Sequence, residues 1–338
     1  MHTSPHRVTI SPRRTRNAFP AQTSATEGLS APTPPRQSTG AATARRGLPP
    51  DSAAPVLVHP TSDDAIDDDS DPTAHSVLLI HGQPGSSLIW THVLPLLRAY
   101  GLRTFAADRP GYAHTDGEAV DQFANAAALA RLLDEQQRSP AVIVGHSLGA
   151  GIALALAATA PRHVRALVLV APAAGPQSIS LTDRVLAAPI VGPSLAWIGF
   201  RAAGLALHIA PLRQRILGKR VGLSASHARQ VVHRLTYGTA WRSFITEQQH
   251  LVTDARRLRH GLSQLDCPIF IVAGKRDHVA TGRVITALSR RLPGSDIITT
   301  DTGHLIPIDD PDAVAHAVLR ALRCDYRKSL SSRRANAL

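Results

Sequence analysis

Ser147, Asp277 and His304 could carry out acyl transfer together, and they follow one another in the order that such chemistry uses on a parallel sheet. A serine hydroxyl is a weak nucleophile alone. It needs a base to take its proton, and the base needs a carboxylate to hold its tautomer. Ser147 is the centre of Gly145-His146-Ser147-Leu148-Gly149, between the apolar run Ala141-Val142-Ile143-Val144 and a helical pattern over 150–156. A serine at a sharp strand-to-helix turn is strained in a way that lifts its hydroxyl clear of the sheet. Gly145 and Gly149 leave room for that turn. Asp277 follows the strand pattern 268–272, and His304 follows the strand pattern 296–300. All three residues thus fall at the carboxyl ends of strands, where open α/β sheets place their active sites.

Other residues compete for these roles less well. His278 neighbours Asp277 and should point elsewhere. Asp301 is too close in sequence to His304 to align with it easily. Ala171-Pro172-Ala173-Ala174 offers no acid after the preceding strand. An oxyanion on the substrate would need two N–H donors. The backbone N–H of Leu148, directly after the serine, is one candidate. The backbone N–H of Gln83, in His81-Gly82-Gln83-Pro84-Gly85, is the other. His81 and His146 read as structural histidines that hold loops, and Trp90 reads as core.

Elements that can position these residues recur along the chain. Strand patterns occupy 76–80, 103–107, 141–144, 166–170, 268–272 and 296–300, and Val56-Leu57-Val58 reads as an early edge strand. Helical patterns cover 90–99 and 118–137. Short, wholly apolar strands alternating with helices predict an α/β fold, a mostly parallel sheet with helices on both faces. The alternation breaks at 175–262, where helical patterns appear without strands, including one over 224–235 with Ser224 as N-cap. That stretch reads as a helical cap or lid. Trp197, Phe200, Trp241 and Phe244 lie within it. They either line an acyl pocket or pack the cap on the body.

The expected organisation has six parts. Residues 1–50 form a disordered basic tail, and 51–73 an acidic linker or early edge strand. The core occupies 74–174 and 263–325 on either side of the cap at 175–262, and 326–338 form a second basic tail. The first 50 residues hold seven arginines, eight prolines and one acid, Glu27. A transit peptide, a dispensable tail and an overextended start remain open for them.

The net charge of +12 is unevenly placed. The first tail carries +6 and the cap +9, so the remainder is mildly acidic. This argues against one continuous nucleic-acid surface on the scaffold. The cap arginines are either solvated lid faces or a surface that attracts anionic substrates or weakly contacts an anionic lipid surface. Cys267 and Cys324 form neither a disulfide framework nor a zinc site, and Cys267 should be buried and inert. No apolar run reaches the ~20 residues of a membrane span. The closest approach, 185–200, is broken by Pro189, Gly192 and Pro193. The expectation is a cytoplasmic protein acting on a small-molecule acyl substrate, with no cofactor and no metal. Oligomeric state is open.

Taken together, these motifs resemble the α/β-hydrolase superfamily over about residues 74–325. The resemblance rests on His81–Gly85, on Asp108-Arg109-Pro110-Gly111-Tyr112-Ala113-His114-Thr115, on Gly145–Gly149, on Gly274 with Asp277, and on Gly303-His304. Ala113 and Thr115 depart from the Gly and Ser frequent there. The resemblance implies a capped serine hydrolase of esterase type. Ser147 in place of aspartate sets it apart from epoxide hydrolases and haloalkane dehalogenases. Leu148 and the basic cap fit poorly with prolyl-iminopeptidase relatives. Ester hydrolysis through an acyl-enzyme is the leading expectation. Thioester or lactone hydrolysis and C–C cleavage of dicarbonyl compounds use the same residues, and a non-catalytic ligand-binding role is the alternative from another class.

Overall fold

The alternation of apolar runs with helical patterns resolves into a seven-stranded sheet in a computed structural model, which describes residues 57–59, 75–113, 115, 118–259 and 261–324. The strands are β1 (Leu57–His59), β2 (Ser76–Ile80), β3 (Arg103–Asp108), β4 (Ala141–His146), β5 (Val164–Val170), β6 (Ile269–Gly274) and β7 (Asp296–Thr300), in the order β1-β3-β2-β4-β5-β6-β7. Only β1 runs antiparallel, paired with β3 through Leu57–Asp108, Val58–Ala107 and His59–Ala106. The other pairs are parallel. The order reverses around β2 and β4, and parallel crossovers on each side place helices on both faces. Every described residue of β2, β4 and β6 is buried, which explains why these strands read as continuous apolar runs rather than alternating ones.

The helices are α1 (Val93–Ala99), α2 (Gln122–Glu135), α3 (Leu148–Thr159), α4 (Leu181–Leu186), α5 (Val191–His208), α6 (Ala210–Arg213), α7 (Ala225–Tyr237), α8 (Ala240–Arg259), α9 (Gly282–Ser289), α10 (Ile306–Asp309) and α11 (Pro311–Arg323). Two of them are shorter than their apolar patterns. A 3-10 turn at Ser87–Trp90 precedes α1, so the helix starts at Val93 rather than at position 90. Asp121 caps α2 by accepting the Ala124 N–H at 2.8 Å, which sets its start at Gln122 rather than 118. Trp90 is fully buried in the core, as its reading required.

Helix α3 lies at the centre and is apolar on every side, with ten of its residues buried. A helix without a polar face must be enclosed. Its N-terminus emerges from β4 at Ser147.

Between β5 and β6 the described residues of 175–262 contain no strand. Helices α4 to α8 build this region, with a π-helical turn at Gln214–Arg220. Ser224 caps α7 through the His227 N–H, as its sequence pattern suggested. Helix α8 is tied to the body by Asp254, whose carboxylate accepts the Gln122 N–H at 3.0 Å. The basic tails and the acidic stretch 61–72 lie outside the described residues.

Candidate active site

The turn after β4 gives Ser147 a φ of 53° and a ψ of −118°, a left-handed conformation that costs a non-glycine residue energy. The fold holds it there with bonds on both sides. Ser147 N–H donates to the Val170 carbonyl at 3.0 Å, and the Ser147 carbonyl accepts from Ala150 and Ala173. The flanking glycines are required by contact. A Cβ on Gly149 would stand 2.5 Å from the Ile80 carbonyl oxygen, and one on Gly145 would overlap the Gly149 backbone.

His304 reaches both partners assigned to it from sequence. Its Nε2 is 3.0 Å from Ser147 Oγ, and its Nδ1 is 2.9 Å from Asp277 Oδ2. A carboxylate can only accept, so Nδ1 carries the proton and the Nε2 lone pair faces the serine hydroxyl. The loops bearing Asp277 and His304 are stitched together. Lys275 N–H donates to Thr300 O and Arg276 N–H to Thr302 O, both at 2.9 Å. The other Asp277 oxygen accepts the N–H groups of Val279 and Ala280 at 2.7 and 2.9 Å. Burial alone would raise the Asp277 carboxyl. The bond and charge interaction with His304, together with these two N–H groups, outweigh it and hold the carboxyl below its usual range.

The rivals are placed elsewhere. Asp301 is exposed and paired with Lys275 at 2.9 Å. His278 is exposed.

His146 and His81 are both buried. His146 Nε2 lies 2.9 Å from the His304 carbonyl oxygen and so holds the backbone of that loop. Burial, then the neighbouring His304, lower its pKa to about 4. His81 Nε2 accepts the Arg109 N–H at 3.2 Å, so its Nδ1 donates to the Gly82 carbonyl at 2.7 Å. Burial and the adjacent Arg109 charge push His81 well below its ordinary value.

One group of residues here escaped sequence reading. The fully buried Arg109 guanidinium forms a two-pronged ion pair with Glu247 of α8 and donates to the Gly82 carbonyl at 3.0 Å. Tyr112 donates its hydroxyl to Glu247 at 2.6 Å. Arg109 and Tyr112 belong to a recognised motif, whereas Glu247 sits in the basic cap, 138 residues away from Arg109, with no local pattern. The signal was its rarity, as one of three acids in 175–262.

Two donors, His81 and Arg109, therefore grip the Gly82 carbonyl. In a planar trans peptide the next N–H points opposite to that carbonyl. Pinning Gly82 O thereby aims the Gln83 N–H. Neither Gln83 N–H nor Leu148 N–H has an acceptor among the described residues. Gly82 abuts the serine directly, since a Cβ there would lie 2.8 Å from Ser147 Cβ.

The cap aromatics divide. Phe200 and Phe244 pack with ring centroids 5.7 Å apart. Trp197 is 45% exposed with Arg201 above its ring, and Trp241 lies beneath Arg242. Cys267 is free and buried, its thiol pushed up to about 12 by burial and by the neighbouring Asp266. Among the described residues, no three His, Cys, Asp or Glu side chains are grouped to hold a metal ion.

A mostly parallel sheet, a strained serine at a strand-to-helix turn and a helical insert after β5 define a hydrolase architecture. The chain belongs to the alpha/beta hydrolase fold family, whose profile matches residues 75–311. It is 32% identical over 227 residues to a pimeloyl-[acyl-carrier protein] methyl ester esterase of Neisseria meningitidis serogroup B, covering 67% of this chain and 83% of that one. Among solved structures it is similar to a thermophilic esterase from Thermogutta terrifontis, with a TM-score of 0.53 at 19% identity, covering 74% of this chain and 90% of that one. It also resembles the thioesterase domain of the curacin biosynthetic pathway, with a TM-score of 0.55 at 21% identity, covering 74% and 92%. At such identities the structural likeness speaks to the fold alone.

Proposed function

We propose that this protein is a serine hydrolase that cleaves a carboxylic ester through an acyl-enzyme. The observation that carries the reading is the single imidazole of His304, within hydrogen-bond reach of both Ser147 Oγ and Asp277 Oδ2. Ser147 attacks the acyl carbonyl while His304 Nε2 takes its proton. Asp277 holds the imidazole in the needed tautomer and stabilises the imidazolium that forms. The N–H groups of Leu148 and Gln83 receive the developing oxyanion, a contribution of ~3–4 kcal/mol per donor in serine hydrolases. His304 then protonates the departing alcohol, and a water activated by the same imidazole releases the acid. Phe200 and Phe244 are the cap residues proposed to contact the acyl chain. The esterase relative from Neisseria supports a carboxylic ester as the bond cleaved.

The test is labelling by a fluorophosphonate probe alongside turnover of p-nitrophenyl esters of graded chain length. Wild type should be labelled and Ser147→Ala should not. Asp277→Asn should keep the fold and lower kcat by ~10⁴-fold, because the amide favours the wrong imidazole tautomer. An unlabelled wild type, or equal labelling of Ser147→Ala, would overturn the assignment.

A further inference from the structure

The cap carries an exposed helix face with the wrong chemistry for water. A surface helix ordinarily turns its apolar stripe inward and its charges outward. In α5 both sides are apolar. Gly192, Ala196, Gly204 and Leu207 are buried on the inner side. Val191, Leu195, Ile198 and Leu205 stand exposed on the outer side, continued by Ile190 before the helix and Ile209 after it. The spacing of 191, 195, 198, 205 and 209 is that of one continuous stripe. Arg201 is the only Lys, Arg, Asp or Glu in the helix, and it lies across the rings of Trp197 and Tyr237. An 18-residue helix makes this stripe about 27 Å long.

Beyond Ile209 the chain turns by 102° into Ala210–Arg220. That segment brings four cations, Arg213, Arg215, Lys219 and Arg220. Arg213 is spent on the carbonyls at the end of α5, and Arg220 on Asp309. Arg215 and Lys219 stand exposed.

We infer that this face docks on the surface of an anionic lipid bilayer, with α5 lying in the interface plane. Apolar side chains entering the headgroup boundary and cations meeting lipid phosphates are the two contributions such binding needs. Charge complementarity selects this occupant over a second copy, because a cap of +9 apposed to another would repel it. The docking is peripheral. Among the described residues no single helix is long and apolar enough to cross a membrane, and the inner side of α5 is buried within the cap. The inference is independent of which bond the enzyme cleaves.

The full chain is mixed with vesicles of phosphatidylcholine alone or with phosphatidylglycerol, each with and without brominated acyl chains. Because the arginines of residues 1–50 can attract anionic vesicles by themselves, tryptophan quenching by the bromines is the deciding readout. Quenching is expected with phosphatidylglycerol vesicles and should be largely lost in Trp197→Phe. The double variant Ile198→Asp, Leu205→Asp should lose quenching and bind at least tenfold more weakly, while hydrolysing a soluble ester like wild type. Arg215→Glu with Lys219→Glu should weaken the quenching by brominated phosphatidylglycerol vesicles. Absence of quenching in wild type, or quenching unchanged in the Ile198/Leu205 variant, overturns the inference. So does a wild-type dimer that these substitutions convert to monomer, or stripe-dependent capture of an acidic carrier protein without quenching.

Discussion

At the scale of single residues, the most exacting position is one with no side chain. Gly82 is not a member of the serine–histidine–carboxylate set, yet it touches Ser147 and carries the carbonyl whose direction governs the Gln83 N–H. A methyl group there would press on Ser147 Cβ at 2.8 Å and on the His146 backbone. Gly82→Ala should therefore displace the serine and lower kcat by about 10²-fold, the usual consequence of misplacing a reacting group by an ångström. Stopped-flow measurement of acyl-enzyme formation would separate this from a binding effect, since the change belongs to kcat. That Ser147, Asp277 and His304 come together was legible in the sequence because each falls just past a strand pattern. The roles of His81 and His146 were legible only as structural. What each ring holds, the Gly82 carbonyl in one case and the His304 carbonyl in the other, depends on partners the sequence leaves unspecified.

At the scale of elements, the Arg109–Glu247 pair joins the loop after β3 to helix α8, and through Gly82 it reaches the loop after β2. Both side chains are almost completely excluded from solvent. Removing one member of such a pair leaves the other charge buried and uncompensated, at a cost of about 3–5 kcal/mol. Glu247→Gln should lose about that much in a denaturant titration, and it should also lower kcat because the Arg109 fork loosens on the Gly82 carbonyl. Replacing both by apolar residues (Arg109→Met with Glu247→Leu) should recover most of the stability. It should not recover kcat, since the donor to Gly82 is then gone. Equal recovery of both would show that the pair is structural only. Secondary structure on both sides of this link was readable from the sequence: the strand patterns were found within a few residues, and the α2 start moved only because Asp121 caps it. The link itself was not. A glutamate among twelve basic residues in the cap reads as a solvated face until packing shows it buried.

For the whole molecule, two buried histidines make stability depend on pH in a stated direction. His146 titrates near 4 in the folded chain against an ordinary value of 6.5, and His81 is lowered as well. An unfolded chain takes up these protons as pH drops below about 6.5, whereas the folded chain does not. The stabilisation is therefore complete above pH 6.5 and declines as pH falls toward 4. For His146 alone the shift corresponds to roughly 3 kcal/mol. Asp277, held below its usual range, adds a further loss below that interval. Thermal unfolding followed from pH 7.5 to 4.5 should show Tm falling most steeply below 6.5. The fall should be shallower in His146→Gln, an uncharged replacement that has no proton to take up on unfolding. A Tm profile that is flat over this interval would mean that the two rings are not held neutral.

By itself the sequence determined the parallel sheet, the helical insert and the two residues that His304 links, because short apolar runs, glycines at a sharp turn and strand-end loops are local signals. Tertiary structure decided what lies far apart in the chain and close in space. It buried Glu247 against Arg109, turned the Gly82 carbonyl toward two donors, and left one side of α5 apolar and uncovered. The physical reason is common to all three. Burial and charge pairing are properties of surroundings, and an apolar helix has the same spacing whether its second face meets protein, lipid or water.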